Sequence, residues 1–207
     1  AVIKDEKEVE SLTDGETGAL VLDKTPFYAE SGGQIGDVGV IESASANARV
    51  ANALCRAGKC VLHQVTVDAG AFKVGDQVAA RVEEDRRRRT ECHHTATHLL
   101  QAALRDALGE HVHQAGSYVG PDRLRFDFTH FEGIGAERLH DIERLVNEYI
   151  RTDAPVETAV MALDEARAAG AMALFGEKYE DTVRVVRIND ISQELCGGTH
   201  VPRTGLI

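Results

Sequence analysis

His94-Thr-Ala-Thr-His98-Leu-Leu-Gln-Ala-Ala-Leu-Arg-Asp-Ala-Leu108 is the stretch that decides how this 207-residue chain folds. Its apolar positions Leu99, Leu100, Ala103, Leu104 and Leu108 recur at helical intervals, and Gly109 follows as a C′ residue. The spacing predicts a helix from about Asp85 to Leu108. On that helix His94 and His98 share one face, one turn apart, whereas His93 points about 100° away. Far downstream, Cys196-Gly-Gly-Thr-His200 repeats the four-residue spacing. Three imidazoles and one thiolate are a full tetrahedral donor set for zinc. The two halves lie so far apart that the set assembles only in a folded domain, unlike the ligands of a short zinc finger.

The purpose of such a metal stays open at this level. No glutamate follows His94, so the metalloprotease pattern is absent. Gly197 and Gly198 allow a tight turn or present bare backbone amides to a substrate, and the residues do not choose between the two. Four protein ligands close a zinc site and make it structural, whereas hydrolytic zinc keeps a position for water. A catalytic reading needs a weak ligand, a fifth position, or a metal that positions substrate.

Working outward, the residues before the helix read as short strands separated by turns. Segments 18–22, 38–41, 60–67 and 76–82 are apolar or alternating, punctuated by Gly32, Gly33, Gly36, Gly58, Gly70 and Gly75. This spacing predicts a small N-terminal β-barrel over residues 1–84. After Gly109, residues 124–128, 156–160 and 182–188 read as strands, and 136–151 as an amphipathic helix with Leu139, Ile142, Val146 and Tyr149 on one stripe. Asp164 is placed to cap a further helix running to about Phe175 and ended by Gly176. Helices mixed with strands that need not be parallel predict an α+β sandwich over residues 85–207.

Composition narrows the class. A net charge of −11 argues against broad, non-specific nucleic-acid binding but leaves room for a local patch. Arg86-Arg-Arg-Arg89 is the candidate patch; its bland alternative is a helix start whose arginines pair with Glu83, Glu84 and Asp85. Four cysteines fit a reducing compartment, with Cys55 and Cys60 flanking a turn-like 56–59 that permits, without requiring, a hairpin disulfide. No apolar stretch reaches membrane-span length and no secretory signal is present, so the expected location is cytoplasmic. The start at Ala1 and the abrupt end at Ile207 read as an excised piece of a larger protein. Gly32-Gly33-Gln34 lies in a dense segment, 25–37, and matches the tripeptide with which peptide-release factors place a water on an ester; a loop between strands is the plainer reading. No phosphate-cradling glycine signature occurs, so no nucleotide cofactor is expected. His63, His111, His113, His130 and His140 read as structural or surface residues.

Together these segments closely resemble the editing region of bacterial-type alanyl-tRNA synthetases and the related free-standing editing proteins. The resemblance runs through TPFYAESGGQIGDVG at 25–39, HTATHLLQAALRDALGEHVHQAGSYV at 94–119, LRFDF at 124–128 and ELCGGTHVPRTG at 194–205. It implies an α+β fold: a small barrel joined to an editing core shared with threonyl-tRNA synthetases. The family's zinc ligands map onto His94, His98, Cys196 and His200 without departure, and its recognition positions onto Thr97 and Gln114. The implied activity is hydrolysis of serine or glycine wrongly esterified to alanine-specific tRNA. Its implied partners are the acceptor end of that tRNA and the remaining domains of a synthetase. No aminoacylation core is visible. Two rival readings remain, a non-catalytic zinc-stabilised tRNA-binding module and a free-standing editing protein.

Overall fold

The computed structural model describes residues 1–56, 60–173 and 179–207. The chain divides into two compact units, one formed by 1–31 with 35–87 and the other by 32–34 with 88–207. The tripeptide Gly32-Gly33-Gln34 therefore groups with the helical part of the chain, apart from the strands that flank it in sequence.

The first unit is built from β1 (Val2–Lys4), β2 (Lys7–Glu8), β3 (Ser11–Thr13), β4 (Thr17–Val21), β5 (Gly39–Glu42), β6 (Asn47–Arg56), β7 (Cys60–Ala69), β8 (Ala71–Lys73) and β9 (Ala79–Val82). Seven of these form one sheet in the order β2-β1-β4-β7-β6-β5-β9, all neighbours antiparallel, while β3 and β8 pair separately. Its long central strands alternate, β6 changing phase at a register shift after Val50: Ala48, Val50 and Ala53 on β6 and Val65 and Val67 on β7 point into a core with Leu12, Leu20, Phe27, Ile41 and Phe72.

The expected barrel is not what forms. Among the described residues the sheet stays open, with β2 and β9 at its edges and unpaired to each other. Strand β2 has only two residues, Lys7 and Glu8, both exposed, and offers too little ladder to close on anything. The strand expected over 76–82 is shorter and starts at Ala79: Lys73 N–H donates to the Asp76 carboxylate and Asp76 N–H to the Lys73 carbonyl, which ties Asp76 to the turn at 74–75. Cys55 lies opposite Val61 and Cys60 opposite Arg56, and both thiols are free. Of the turn expected over 56–59, Arg56 ends β6 and residues 57–59 lie outside the described residues.

The second unit takes most of α1 (Glu84–Leu108), then β10 (Gln114–Val119), β11 (Leu124–Phe128), α2 (Ala136–Arg151), β12 (Val156–Ala162), α3 (Leu163–Ala168), β13 (Thr182–Ile188) and β14 (Ser192–Leu195), with a closing 3-10 turn at Thr204–Leu206. β10 and β11 form a hairpin, and β12-β13-β14 an antiparallel sheet. Thus helices and antiparallel strands mix, as expected, in several open sheets. Helix α2 spans the residues that its periodicity predicts. Ile142 is buried and Val146 and Tyr149 pack against Ala103, Leu104 and Val112, whereas Leu139, at the outer end of the stripe, is 51% exposed. α3 starts earlier than Asp164 predicted: Ala162 occupies the N-cap and Asp164 falls in the first turn. It ends before Gly170, whose φ of +82° is left-handed. Phe175 and Gly176, the expected end, lie outside the described residues. Among the described residues, no helix is long and apolar enough to cross a membrane.

Candidate metal centre

Helix α1 carries His94 and His98 on its buried face, and Leu99, Ala103 and Leu104 anchor that face in the apolar interior. β13 and β14 deliver the other half. Cys196 leaves the end of β14, where its N–H donates to the Arg184 carbonyl at 3.0 Å, and the loop through His200 returns over the helix. One ligand atom from each of His94, His98, Cys196 and His200 lies within 4.8 Å of the other three. The Cys196 thiol is 3.5 Å from His94 Nε2 and 3.3 Å from His200 Nε2. The four residues paired by spacing are thus brought together by the fold.

The electrostatics suit a cation. Burial, the neighbouring His98 and the Arg184 guanidinium push His94 down to about 3. Burial and Arg184 push His98 down to about 4, and burial together with His98, His94 and Arg184 holds His200 well below its ordinary value. All three imidazoles are therefore neutral at pH 7, with lone pairs free for a metal. Arg184 spends its Nη1 on the loop, donating to the carbonyls of Cys196 and Gly198, each at 2.8 Å.

Around the four donors stands a second ring of polar groups. His200 Nδ1 lies 3.1 Å from the Thr95 hydroxyl, and that hydroxyl also accepts from Val201 N–H. His98 Nδ1 lies 3.3 Å from Glu194 Oε1, yet makes no hydrogen bond of good geometry. Glu194 is buried, which pushes its carboxyl up to about 7, while Ser192 Oγ donates to it at 2.8 Å. Burial thus drives both partners toward neutrality, so this contact is no ion pair in mildly acidic solution. A cation among the four donors would favour the ionised carboxylate and a carboxylate–histidine–metal arrangement. Gln34 lies against His94 and the loop, with Oε1 2.6 Å from His94 Nδ1 and 2.9 Å from Thr199 N.

These outer residues are hard to find from sequence: Gln34 reads as part of an inter-strand loop, and no pattern marks Glu194. The available signal for Gln34 was the glycine pair before it. Gly32 and Gly33 have φ of +58° and +86°, and a Cβ on Gly33 would run into Ser117 of β10. Val119 N–H closes that approach by donating to the Gly33 carbonyl at 2.8 Å. The glycines serve to aim the next side chain.

The remaining candidates are placed as follows. Thr97 is buried, and its hydroxyl donates to the His93 carbonyl at 2.8 Å. Gln114 opens β10, and its Nε2 donates to Ser117 Oγ at 3.2 Å. Gln114 also borders a hollow of about 490 Å³ with Gln101, His113, Thr129 and Met172. His63 is fully buried between the Leu20 carbonyl and the Thr25 hydroxyl, a structural role, and His140 is exposed. In the arginine run, Arg87 pairs with Asp37 and also donates to the Pro26 carbonyl at 3.0 Å.

Residues 1–86 match the family described as class II (A) tRNA synthetases, and residues 183–207 match the second additional domain of threonyl and alanyl tRNA synthetases. Fold, site and matches together define a segment of the class II aminoacyl-tRNA synthetase type. Alanine–tRNA ligase of Halorhodospira halophila is 55% identical over 202 residues, covering 98% of this chain and 23% of that protein. The ligase of Geobacillus thermodenitrificans is 53% identical over 207 residues, covering all of this chain and 24% of that protein. The chain belongs to the alanyl-tRNA synthetase family, and it spans about a quarter of the length of these curated relatives.

Proposed function

We propose that this chain is the proofreading part of an alanyl-tRNA synthetase, a cytoplasmic deacylase that hydrolyses serine or glycine mistakenly esterified to tRNA(Ala). One observation carries the reading: three imidazoles and a cysteine sulfur converge within 4.8 Å, in a chain whose last 25 residues match the threonyl and alanyl additional domain. In this reading residues 1–84 form the supporting β subdomain and 85–207 the editing core. The tRNA(Ala) acceptor end and the other synthetase domains are its partners.

His94, His98, Cys196 and His200 would hold Zn2+, which supplies Lewis-acid polarisation of an ester carbonyl or orientation of a water. The chain's own residues do the selecting. A pocket sized for alanine discriminates weakly against serine and glycine, so a second, hydrolytic sieve is needed. Thr97 commits its proton to the His93 carbonyl, which leaves its oxygen lone pairs to accept from a serine hydroxyl. Alanine would leave that acceptor unpaired, and correct alanyl-tRNA would be spared. Gln114 would supply a side-chain amide for the aminoacyl group. Arg88 and Arg89 are exposed at the start of α1 and suit phosphate contacts.

The second reading, a zinc module without catalysis, draws support from the four-donor set itself, since four protein ligands ordinarily close the metal. Deacylation of Ser-tRNA(Ala) and Ala-tRNA(Ala), with zinc content measured alongside, separates the two. Loss of serine-ester hydrolysis in a folded Cys196→Ala protein is the expected result. Undiminished hydrolysis by metal-stripped, folded protein would overturn the zinc reading. Thr97→Val is expected to erase most of the preference for serine over alanine esters, and an unchanged preference would remove Thr97 from the role.

A further inference from the structure

We infer that Gln34 is the positioning residue that sets which nitrogen of His94 is offered to the metal. The inference rests on the zinc reading above and extends it to a residue that touches no metal. Its starting point is an unambiguous donor. Thr199 N is a backbone N–H and can only donate, so the Gln34 atom 2.9 Å from it must be the carbonyl oxygen Oε1. The opposite end agrees, because Gln34 Nε2 lies 3.0 Å from the Thr199 hydroxyl, which accepts from it. The amide orientation is thereby fixed at both ends.

That same oxygen lies 2.6 Å from His94 Nδ1. An amide oxygen cannot donate, so Nδ1 must carry the proton. The neutral imidazole then has its lone pair on Nε2, the nitrogen 3.5 Å from the Cys196 thiol. One backbone amide on the Cys196–His200 loop thus dictates, through Gln34, the tautomer of a histidine on α1. Gln34 is 0% exposed, so water cannot substitute for it. Gly198 keeps the space clear: a Cβ there would strike the His94 ring and lie 2.8 Å from Gln34 Oε1. A partner that orients a ligating histidine is worth about 10- to 100-fold in metal affinity.

The test uses the 207-residue chain, stripped of metal and titrated with zinc alone, beside Gln34→Leu and Gln34→Glu. Long-range proton–nitrogen NMR of the imidazoles in metal-free protein reads the tautomer directly. The wild type is expected to show His94 protonated at Nδ1. Gln34→Leu is expected to lose that single tautomer and bind zinc about 10- to 100-fold more weakly. Gln34→Glu keeps an acceptor for both N–H groups, so it is expected to retain the tautomer and bind zinc at least as tightly. A wild-type His94 protonated at Nε2 would overturn the inference. So would a folded Gln34→Leu protein with unchanged tautomer and affinity, or a Gln34→Glu protein with weakened zinc binding. If Gln34→Leu fails to fold, the wild-type tautomer and the glutamate variant still decide. A wild type that takes up no zinc would sink the metal reading, while its His94 tautomer still decides the role of Gln34.

Discussion

Gly197 and Gly198 are neighbours with opposite freedom. A Cβ at Gly197 meets nothing within 4 Å, while one at Gly198 collides with His94 and crowds Gln34. Gly198→Ala is therefore expected to displace the loop and abolish stoichiometric zinc binding, with helical content by circular dichroism preserved. Gly197→Ala is expected to bind zinc as the wild type does. Equal zinc stoichiometry in the two variants would contradict the cradle described for His94. At this scale the four donors were legible in the chain, because ligand chemistry is a property of residue type and their spacing follows from the helical turn. Gln34 was not, because its partners lie 60 and 165 positions away.

Helix α1 turns on its first residues as much as on its histidines. Arg87 pairs with Asp37, which is 6% exposed and also accepts Tyr28 N–H at 2.6 Å. Removing the arginine strands a buried carboxylate, so Arg87→Ala is expected to cost about 3 kcal/mol in urea unfolding. Arg88→Ala and Arg89→Ala, on exposed positions, are expected to stay within about 0.5 kcal/mol of the wild type. A cost shared evenly along the run would contradict the assignment. The run looks uniform in sequence, where a phosphate patch and local pairing with Glu83, Glu84 and Asp85 are both open readings. That Arg87 turns to Asp37 depends on a residue fifty positions earlier. The elements themselves were easier: α2 and β13 follow from periodicity, while two-residue β2 carries no period to read.

For the whole molecule the site sets a pH dependence. His94, His98 and His200 are all depressed from 6.5, so the stability they contribute is complete above pH 6.5 and is lost as pH falls toward their folded values. Glu194, raised from 4.5 to about 7, acts oppositely, contributing below pH 4.5 and losing that contribution as pH rises through 7. Between pH 4.5 and 6.5 these three histidines, joined by buried His63, which is also lowered, outweigh the one glutamate, so unfolding takes up protons on balance. The melting temperature of metal-free protein is therefore expected to fall from pH 7 to pH 5, and a flat or rising profile would refute the balance. Zinc at about one hundred times its Kd should add about 2.7 kcal/mol at pH 7, read as a rise in melting temperature that a chelator reverses.

The sequence by itself determined the donor set, the long helix that bears half of it and the mixture of helices with antiparallel strands. Each of these depends on residue type and short-range period. Only the tertiary structure decided that the N-terminal sheet stays open, that Arg87 turns inward to Asp37, and that Gln34 and Glu194 stand behind the histidines. Those outcomes depend on which distant groups become neighbours. Burial then shifts their protonation by amounts that no local pattern encodes.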